Sequence, residues 1–226
     1  MLYLDSVGER TPKADADPGP YLSMPDFAMR MLDILVAICA LVVLGPFLVI
    51  VAGSIYLTDG GSPVFAHQRV GKDGRLFGCL KFRTMVLDSQ HKLDALLASD
   101  PDARAEWDRD HKLRNDPRVT RIGRFFRKAS IDELPQLINV LRGEMSIVGP
   151  RPIVNAERAR YGRHFASYCS VTPGITGIWQ ICGRNDVSYR RRIACDVLYV
   201  RSRSLRRNIG IIAMTVPAVL KSEGSY

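Results

Sequence analysis

The run ILVAICALVVLGPFLVIVAGSIYLT, residues 34–58, decides the architecture: 25 positions without a charge, bounded by Asp33 and Asp59. A helix of that length reaches across the ~30 Å hydrocarbon core of a bilayer. It lies too deep in the chain for a signal peptide and lacks the basic lead and small-residue cleavage site of one. Near its middle stand Gly45 and Pro46. The proline removes a backbone donor and sets its ring against the carbonyl of Val42, which bends or breaks a helix. On this segment alone two forms stay open: a kinked helix that crosses the membrane, and a broken one that enters and returns to the same face.

Outward from that segment the chain changes character on both sides. Residues 1–25 are rich in proline, aspartate and glycine and read as a disordered tail. With 226 residues, 46% hydrophobic and 24% charged, the whole is too apolar to be disordered throughout. Only one segment is long and apolar enough to span, which excludes a multi-span transporter. The net charge of +9 is uneven: residues 1–58 hold three basic and six acidic side chains, the remainder 29 basic and 17 acidic. A basic globular part beside an apolar segment calls for an anionic partner: a phosphorylated small molecule, acidic lipid or nucleic acid. Downstream Lys and Arg place that part in the cytoplasm. Five cysteines without a C-x-x-C pair, and scattered histidines, argue against zinc and against a disulfide framework.

Past the turn TDGGSP (58–63), residues 64–70 and 76–86 read as two strands joined through Asp73-Gly74, a hairpin signal. Residues 88–113 look helical with a restart at Pro101, and residues 122–128 form a short basic, aromatic helix. Leu134, Leu137, Ile138 and Leu141 recur at helical spacing, so residues 133–142 are an amphipathic helix closed by Gly143. Residues 144–152 are a short extended run. Residues 153–168 read as helix, 172–177 as a turn, and 186–200 and 205–220 as helices. The expected fold is α+β and mostly helical, a small β-hairpin with amphipathic surface helices.

Ser130-Ile131-Asp132-Glu133 has the form of a capping box. Pro135 would then sit too deep, so a start nearer Asp132 fits better and presents two adjacent carboxylates at the helix mouth. Lys81, Arg83, Arg118, Arg121, Arg124, Arg127 and Arg151 lie on turns or short elements of the same central region. Carboxylates among cations have depressed pKa values and stay ionised, which suits a nucleophile or a magnesium ligand. Clustered arginines suit bidentate phosphate contact, although any one of them reads as easily as a solvated surface residue. Seven arginines between 190 and 207, interleaved with Ile193, Val197, Leu198 and Val200, make a basic amphipathic face for an anionic leaflet. No recognised nucleic-acid motif accompanies them.

KFRTM (81–85), NDPRVT (115–120), RKASIDELPQ (127–136), GEMSIVGPRP (143–152) and PGITGIWQ (173–180) occur together and in this order. Over residues 27–226 the chain resembles the bacterial sugar transferases, the monotopic phosphoglycosyl transferases, and most of all their exopolysaccharide branch. The resemblance implies transfer of a sugar-1-phosphate, galactose or glucose, from a UDP-sugar to undecaprenyl phosphate with release of UMP. Asp132 would be the covalent nucleophile, Glu133 would hold Mg²⁺, and Arg127 and Arg151 match phosphate-binding positions. It implies a re-entrant helix-hairpin over residues 26–58, broken at Gly45-Pro46, and a catalytic domain over 59–226 with membrane-associated C-terminal helices. The site is then the cytoplasmic face of the bacterial inner membrane, with anionic lipids and downstream glycosyltransferases as partners and a homodimer left open. Asn185 and Asp186, after Gly183-Arg184, can bond a sugar hydroxyl or simply cap the next helix. Met29-Arg30 stands where the family has Lys-Arg, and Gly45-Pro46 where it has Ser-Pro. The competing functions are a membrane-tethered scaffold for polysaccharide assembly and a phospholipid-modifying enzyme.

Overall fold

A computed structural model describes residues 24–110, 113, 115–182 and 187–220. The apolar run lies inside one helix, α1 (Met24–Asp59), which takes in Met24 and Pro25 and continues through Pro46. Its 18-residue apolar window has a mean hydropathy of 3.1, and only 11% of that window is buried against the rest of the chain, so α1 is not the core helix of a soluble protein. Residues 29, 33, 37, 51 and 55 form its inward stripe. Both ends are fastened to the same body. Arg30 donates to the carbonyls of Val140 (2.7 Å) and Leu141 (3.1 Å). Asp33 accepts from Ser146 Oγ (3.0 Å) and Ile147 N (2.9 Å). At the far end Arg83 forks onto Asp59.

The hairpin is β1 (Val64–Val70) and β2 (Leu76–Phe82), antiparallel with Val64 opposite Phe82 and Val70 opposite Leu76. Asp73 (φ 57°) and Gly74 (φ 71°) are both left-handed, which matches the twist of the flanking strands. Then come α2 (Ser89–Ser99), α3 (Pro101–Asp110), α4 (Arg121–Lys128), α5 (Gln136–Arg142) and β3 (Ser146–Val148). The stretch read as one helix from 153 is broken: α6 (Arg158–Tyr161) and α7 (Phe165–Cys169) are separated by a 3₁₀ turn that begins at Gly162, whose φ is 48°. The stretch read as a turn contains β4 (Gly174–Thr176), paired parallel with β3. α8 (Ile178–Cys182), α9 (Tyr189–Ser202) and α10 (Leu205–Leu220) complete the chain.

α5 corrects a second expectation. Its buried residues are Gln136, Leu137, Asn139 and Val140, while Ile138 and Leu141 stay exposed. The reason is Asn139, fully buried, whose side chain accepts from Leu80 N (2.9 Å) and donates to Gly78 O (2.8 Å). It replaces strand partners that β2 lacks on that edge and so turns the helix. Around it one core joins Ala37, Phe77, Leu137, Val140, Met145, Ile147, Val148, Tyr199 and Ile211. β2, α5 and β3, which frame the site described next, all contribute to this core.

Candidate active site

Alternation along β2 sends Cys79 and Lys81 to one face, into a cleft. Opposite them the chain leaves α4 through Ser130, a non-glycine residue in the left-handed region (φ 56°), and enters a 3₁₀ turn, Ile131–Glu133. Backbone conformations of that kind cost about 1–3 kcal/mol and persist where the surroundings over-determine them. Here the result is that Asp132 and Glu133 are turned toward Lys81. The capping box is not formed: Ser130 makes no side-chain cap, and the Glu133 carboxylate is occupied elsewhere. Arg151 arrives at the end of β3, in a loop held by Gly149 N to Thr176 O (2.9 Å) and Gly174 N to Pro150 O (2.8 Å). A Cβ on Gly174 would lie 2.0 Å from Gly149 N, so only glycine permits this approach.

Lys81 Nζ lies 2.8 Å from Glu133 Oε1 and 3.5 Å from Asp132 Oδ2. Arg151 Nη2 lies 2.7 Å from the same Glu133 Oε1. The two carboxylates therefore differ. Burial works against the charge on Glu133, but Arg151 and Lys81 outweigh it and hold its pKa far below the usual carboxylate range. Asp132 is also buried, has only the longer Lys81 contact, and feels Glu133's negative charge; burial pushes its pKa up. The sequence reading that both carboxylates are depressed thus holds for Glu133 and is corrected for Asp132, because the cations converge on its neighbour. Asp132 does not itself line the cleft, whereas Lys81 and Glu133 do.

Of the cations expected here, Lys81 and Arg151 come together on Glu133. Arg127 lies alongside, its Nε donating to Thr84 Oγ1 (2.8 Å), with Asp132 close enough to favour its charge. Arg83 and Arg118 are elsewhere: Arg83 is forked onto Asp59, and Arg118 onto Asp116 at 2.8 and 2.7 Å. Asn185 and Asp186 lie outside the described residues. Arg192, one of the seven C-terminal arginines, points inward over Trp179 (5.1 Å) and Tyr189 (5.3 Å) rather than outward. Sequence reasoning missed Arg69, Cys79 and Gln136, which line the cleft beside Arg151. Arg69 and Cys79 carried one usable signal, since each stands two residues from another polar group on a hairpin strand (His67 and Lys81).

Among the described residues no three metal-ligating side chains gather. Two adjacent hard carboxylates nevertheless match the way Mg²⁺ is held beside phosphates, by one or two carboxylates with the substrate supplying further oxygens. Glu133 Oε2 is its less engaged atom, with Arg151 Nη1 at 3.5 Å. The residues present fit such an ion.

The sequence profile of the bacterial sugar transferase family matches residues 24–222. A UDP-galactose-lipid carrier transferase of Erwinia amylovora is 52% identical over 200 residues, 88% of this chain and 42% of that protein. The exopolysaccharide production protein ExoY of Sinorhizobium fredii is 49% identical over 197 residues, 87% of each chain. A UDP-glucose:undecaprenyl-phosphate glucose-1-phosphate transferase of Caulobacter vibrioides is 38% identical over 210 residues, 89% of this chain and 73% of that protein. The chain thus spans less than half the length of some relatives and most of the length of others.

Proposed function

The chain belongs to the bacterial sugar transferase family, and from that premise we propose that it transfers galactose- or glucose-1-phosphate from a UDP-sugar to undecaprenyl phosphate, an opening membrane step of exopolysaccharide synthesis. The observation that carries this reading is the pair of adjacent carboxylates, one clamped by Lys81 and Arg151 and the other held back from them. A carboxylate oxygen of Asp132 attacks the β-phosphorus of the donor. The bond from that phosphorus to the bridging oxygen breaks, and UMP leaves with the bridging oxygen. A phosphate oxygen of undecaprenyl phosphate then attacks the same phosphorus, and the bond to Asp132 breaks. Two anionic reactants repel, and the covalent relay divides one difficult displacement into two.

Each side chain has a part that follows from its position. Asp132 must be ionised to attack; Lys81 and Arg127 favour that form against burial and Glu133. Lys81 bridges the two carboxylates, 3.5 Å from the nucleophile and 2.8 Å from Glu133, and so fixes Asp132 beside the cleft-lining Glu133. Arg151 and Arg127 take phosphoryl oxygens. Glu133 would hold Mg²⁺, which, when bound, neutralises charge on the diphosphate. Asn185 and Asp186 are the candidates for reading the sugar, with capping of the next helix as their competing role.

For the membrane, we take residues 26–58 to enter and leave on the cytoplasmic face of the inner membrane. Support comes from both ends of α1 being tied to one body, as expected of a segment whose ends lie on the same side of the membrane. Exposed Phe125 on α4 and Ile209, Met214 and Val216 on α10 supply apolar surface for the same leaflet. The deciding experiment measures UMP release across UDP-sugars with and without undecaprenyl phosphate. Intact-mass spectra should show a sugar-phosphate adduct on the wild type and none on Asp132→Asn; an active Asp132→Asn enzyme overturns the mechanism.

A further inference from the structure

The cleft holds more positive charge than its own residues balance. Arg69, Lys81 and Arg151 line it against a single lining carboxylate, Glu133. Lys81 and Arg151 direct their short contacts to Glu133, at 2.8 and 2.7 Å. Arg69 has nothing comparable. Its Nη1 donates to Pro152 O at 3.3 Å, its Nη2 to His67 Nδ1 at 3.3 Å, and the nearest carboxylate, Glu157, is 3.9 Å away. Glu157 is already engaged, accepting from Val154 N at 2.9 Å and pairing with Arg192 at 3.7 Å. Only 19% of the Arg69 side chain is exposed, so water does little to solvate it.

A guanidinium withdrawn from water, next to another guanidinium and without a short anionic partner, is an unfavourable arrangement unless something completes it. What completes it must be an anion small enough for the cleft and able to take a planar fork. Phosphoryl oxygens meet both conditions. The hairpin supports the assignment, because Arg69 on β1 and Lys81 on β2 enter the cleft from its two strands.

We propose that Arg69 is a third cationic contact to the donor, binding a phosphoryl group of the nucleoside diphosphate sugar in the cleft. This rests on the reading of the site given above, and extends it to a residue outside the carboxylate loop and the Arg151 loop. The alternative is that Arg69 merely braces β1 against Pro152. Arg69→Gln separates the two, since its amide still donates to a carbonyl but carries no charge.

The test uses the full chain in lipid nanodiscs, with inorganic pyrophosphate as the calorimetric probe and UMP release as a second readout. Arg69→Gln should bind pyrophosphate about tenfold more weakly and raise KM for the UDP-sugar by a similar factor, with a smaller change in kcat, as expected when one charged contact is lost. Arg69→Lys should fall between the two, because it keeps the charge and loses the fork. Should Arg69→Gln fail to fold, the lysine variant alone decides. Wild-type affinity in the folded variants, or no pyrophosphate binding by the wild type, overturns the proposal. Absence of UMP release from every UDP-sugar by a wild type that binds pyrophosphate would instead overturn the function assigned to the site.

Discussion

The Arg118–Asp116 pair ahead of α4 and the Glu133 cluster in the cleft use the same residue types with different charge balance, neutral in the first and net positive in the second. At the first, one guanidinium forks onto one carboxylate, the exposed edges are few, and the indole of Trp107 covers the cation at 5.2 Å. Arg83 on Asp59 repeats the pattern at the end of α1. Both are closed, neutral pairs that serve as struts, the first within one turn and the second joining the end of α1 to the chain after β2. In the cleft, two cations share one oxygen of Glu133 while Asp132 keeps a single longer contact and Arg69 stands by. Such a cluster is complete only with an added anion. A basic residue near a carboxylate therefore says little by itself; the ratio of the two separates a strut from a site.

The largest effect should come from unbalancing the cleft further. Glu133→Gln leaves Lys81 and Arg151 without their anchor and removes the hard oxygen for a cation. Turnover, measured as UMP release, should fall by about 10²–10³, or ~3–4 kcal/mol of transition-state stabilisation. Activity of the wild type should vanish with EDTA and return with Mg²⁺ or Mn²⁺. A Glu133→Gln enzyme that loses stability but less than tenfold in rate would make Glu133 a strut like Asp116.

A carboxylate with no cation at hydrogen-bond distance sharpens the comparison from the other end. Asp196 is buried and accepts from Tyr161 Oη at 2.7 Å. Burial pushes its pKa up to about 6, against the pull of the Tyr161 hydrogen bond and the charge of Arg192. Because the folded value lies above the ordinary one of 3.8, ionisation is penalised in the fold: stability falls as pH rises from about 4 to about 6 and levels off beyond. Asp196→Asn keeps an acceptor for Tyr161 and cannot ionise. It should gain about 3 kcal/mol at pH 7.5 and lose the slope between about pH 4 and 6, read from denaturant midpoints. A variant less stable than wild type at pH 7.5 would show that the charge on Asp196 is needed.

What was legible in the sequence follows the range of the interactions. The apolar helix, the hairpin with its Asp73-Gly74 turn and the break before Pro101 rest on local periodicity and turn chemistry and appear where expected, but the break expected at Gly45-Pro46 does not interrupt α1. β4 was hidden because Pro173-Gly174 looks like a turn until Gly149, 25 residues away in sequence, packs against it. The adjacent carboxylates announced themselves through spacing and through the surrounding motifs. Their unequal environments did not, since the choice of Lys81 and Arg151 for Glu133 is made by three separate elements. Arg83 was placed with the substrate for the same reason, since nothing local reveals that Asp59 has already taken it; Arg118 is different, because its partner Asp116 stands two residues away and was a local signal left unused.

The smallest expected effect tests the strut itself. Lysine at position 118 keeps the charge but cannot fork onto both Asp116 oxygens or lie flat on Trp107, so Arg118→Lys should cost about 1 kcal/mol of stability at pH 7. Burial of Asp116 opposes its ionisation, but the hydrogen bonds and charge of Arg118 outweigh it and lower its pKa below the ordinary 3.8. With a depressed folded value, the pair's contribution is present above that ordinary value and is lost as pH falls through the lowered one. The difference between wild type and Arg118→Lys should accordingly be full at pH 7 and shrink below about pH 4, where Asp116 takes up its proton. Urea midpoints at the two pH values check this. KM for the UDP-sugar should change by less than about threefold, because a closed pair has no contact to offer the donor. A tenfold rise in KM with unchanged stability would move Arg118 from the struts to the cleft.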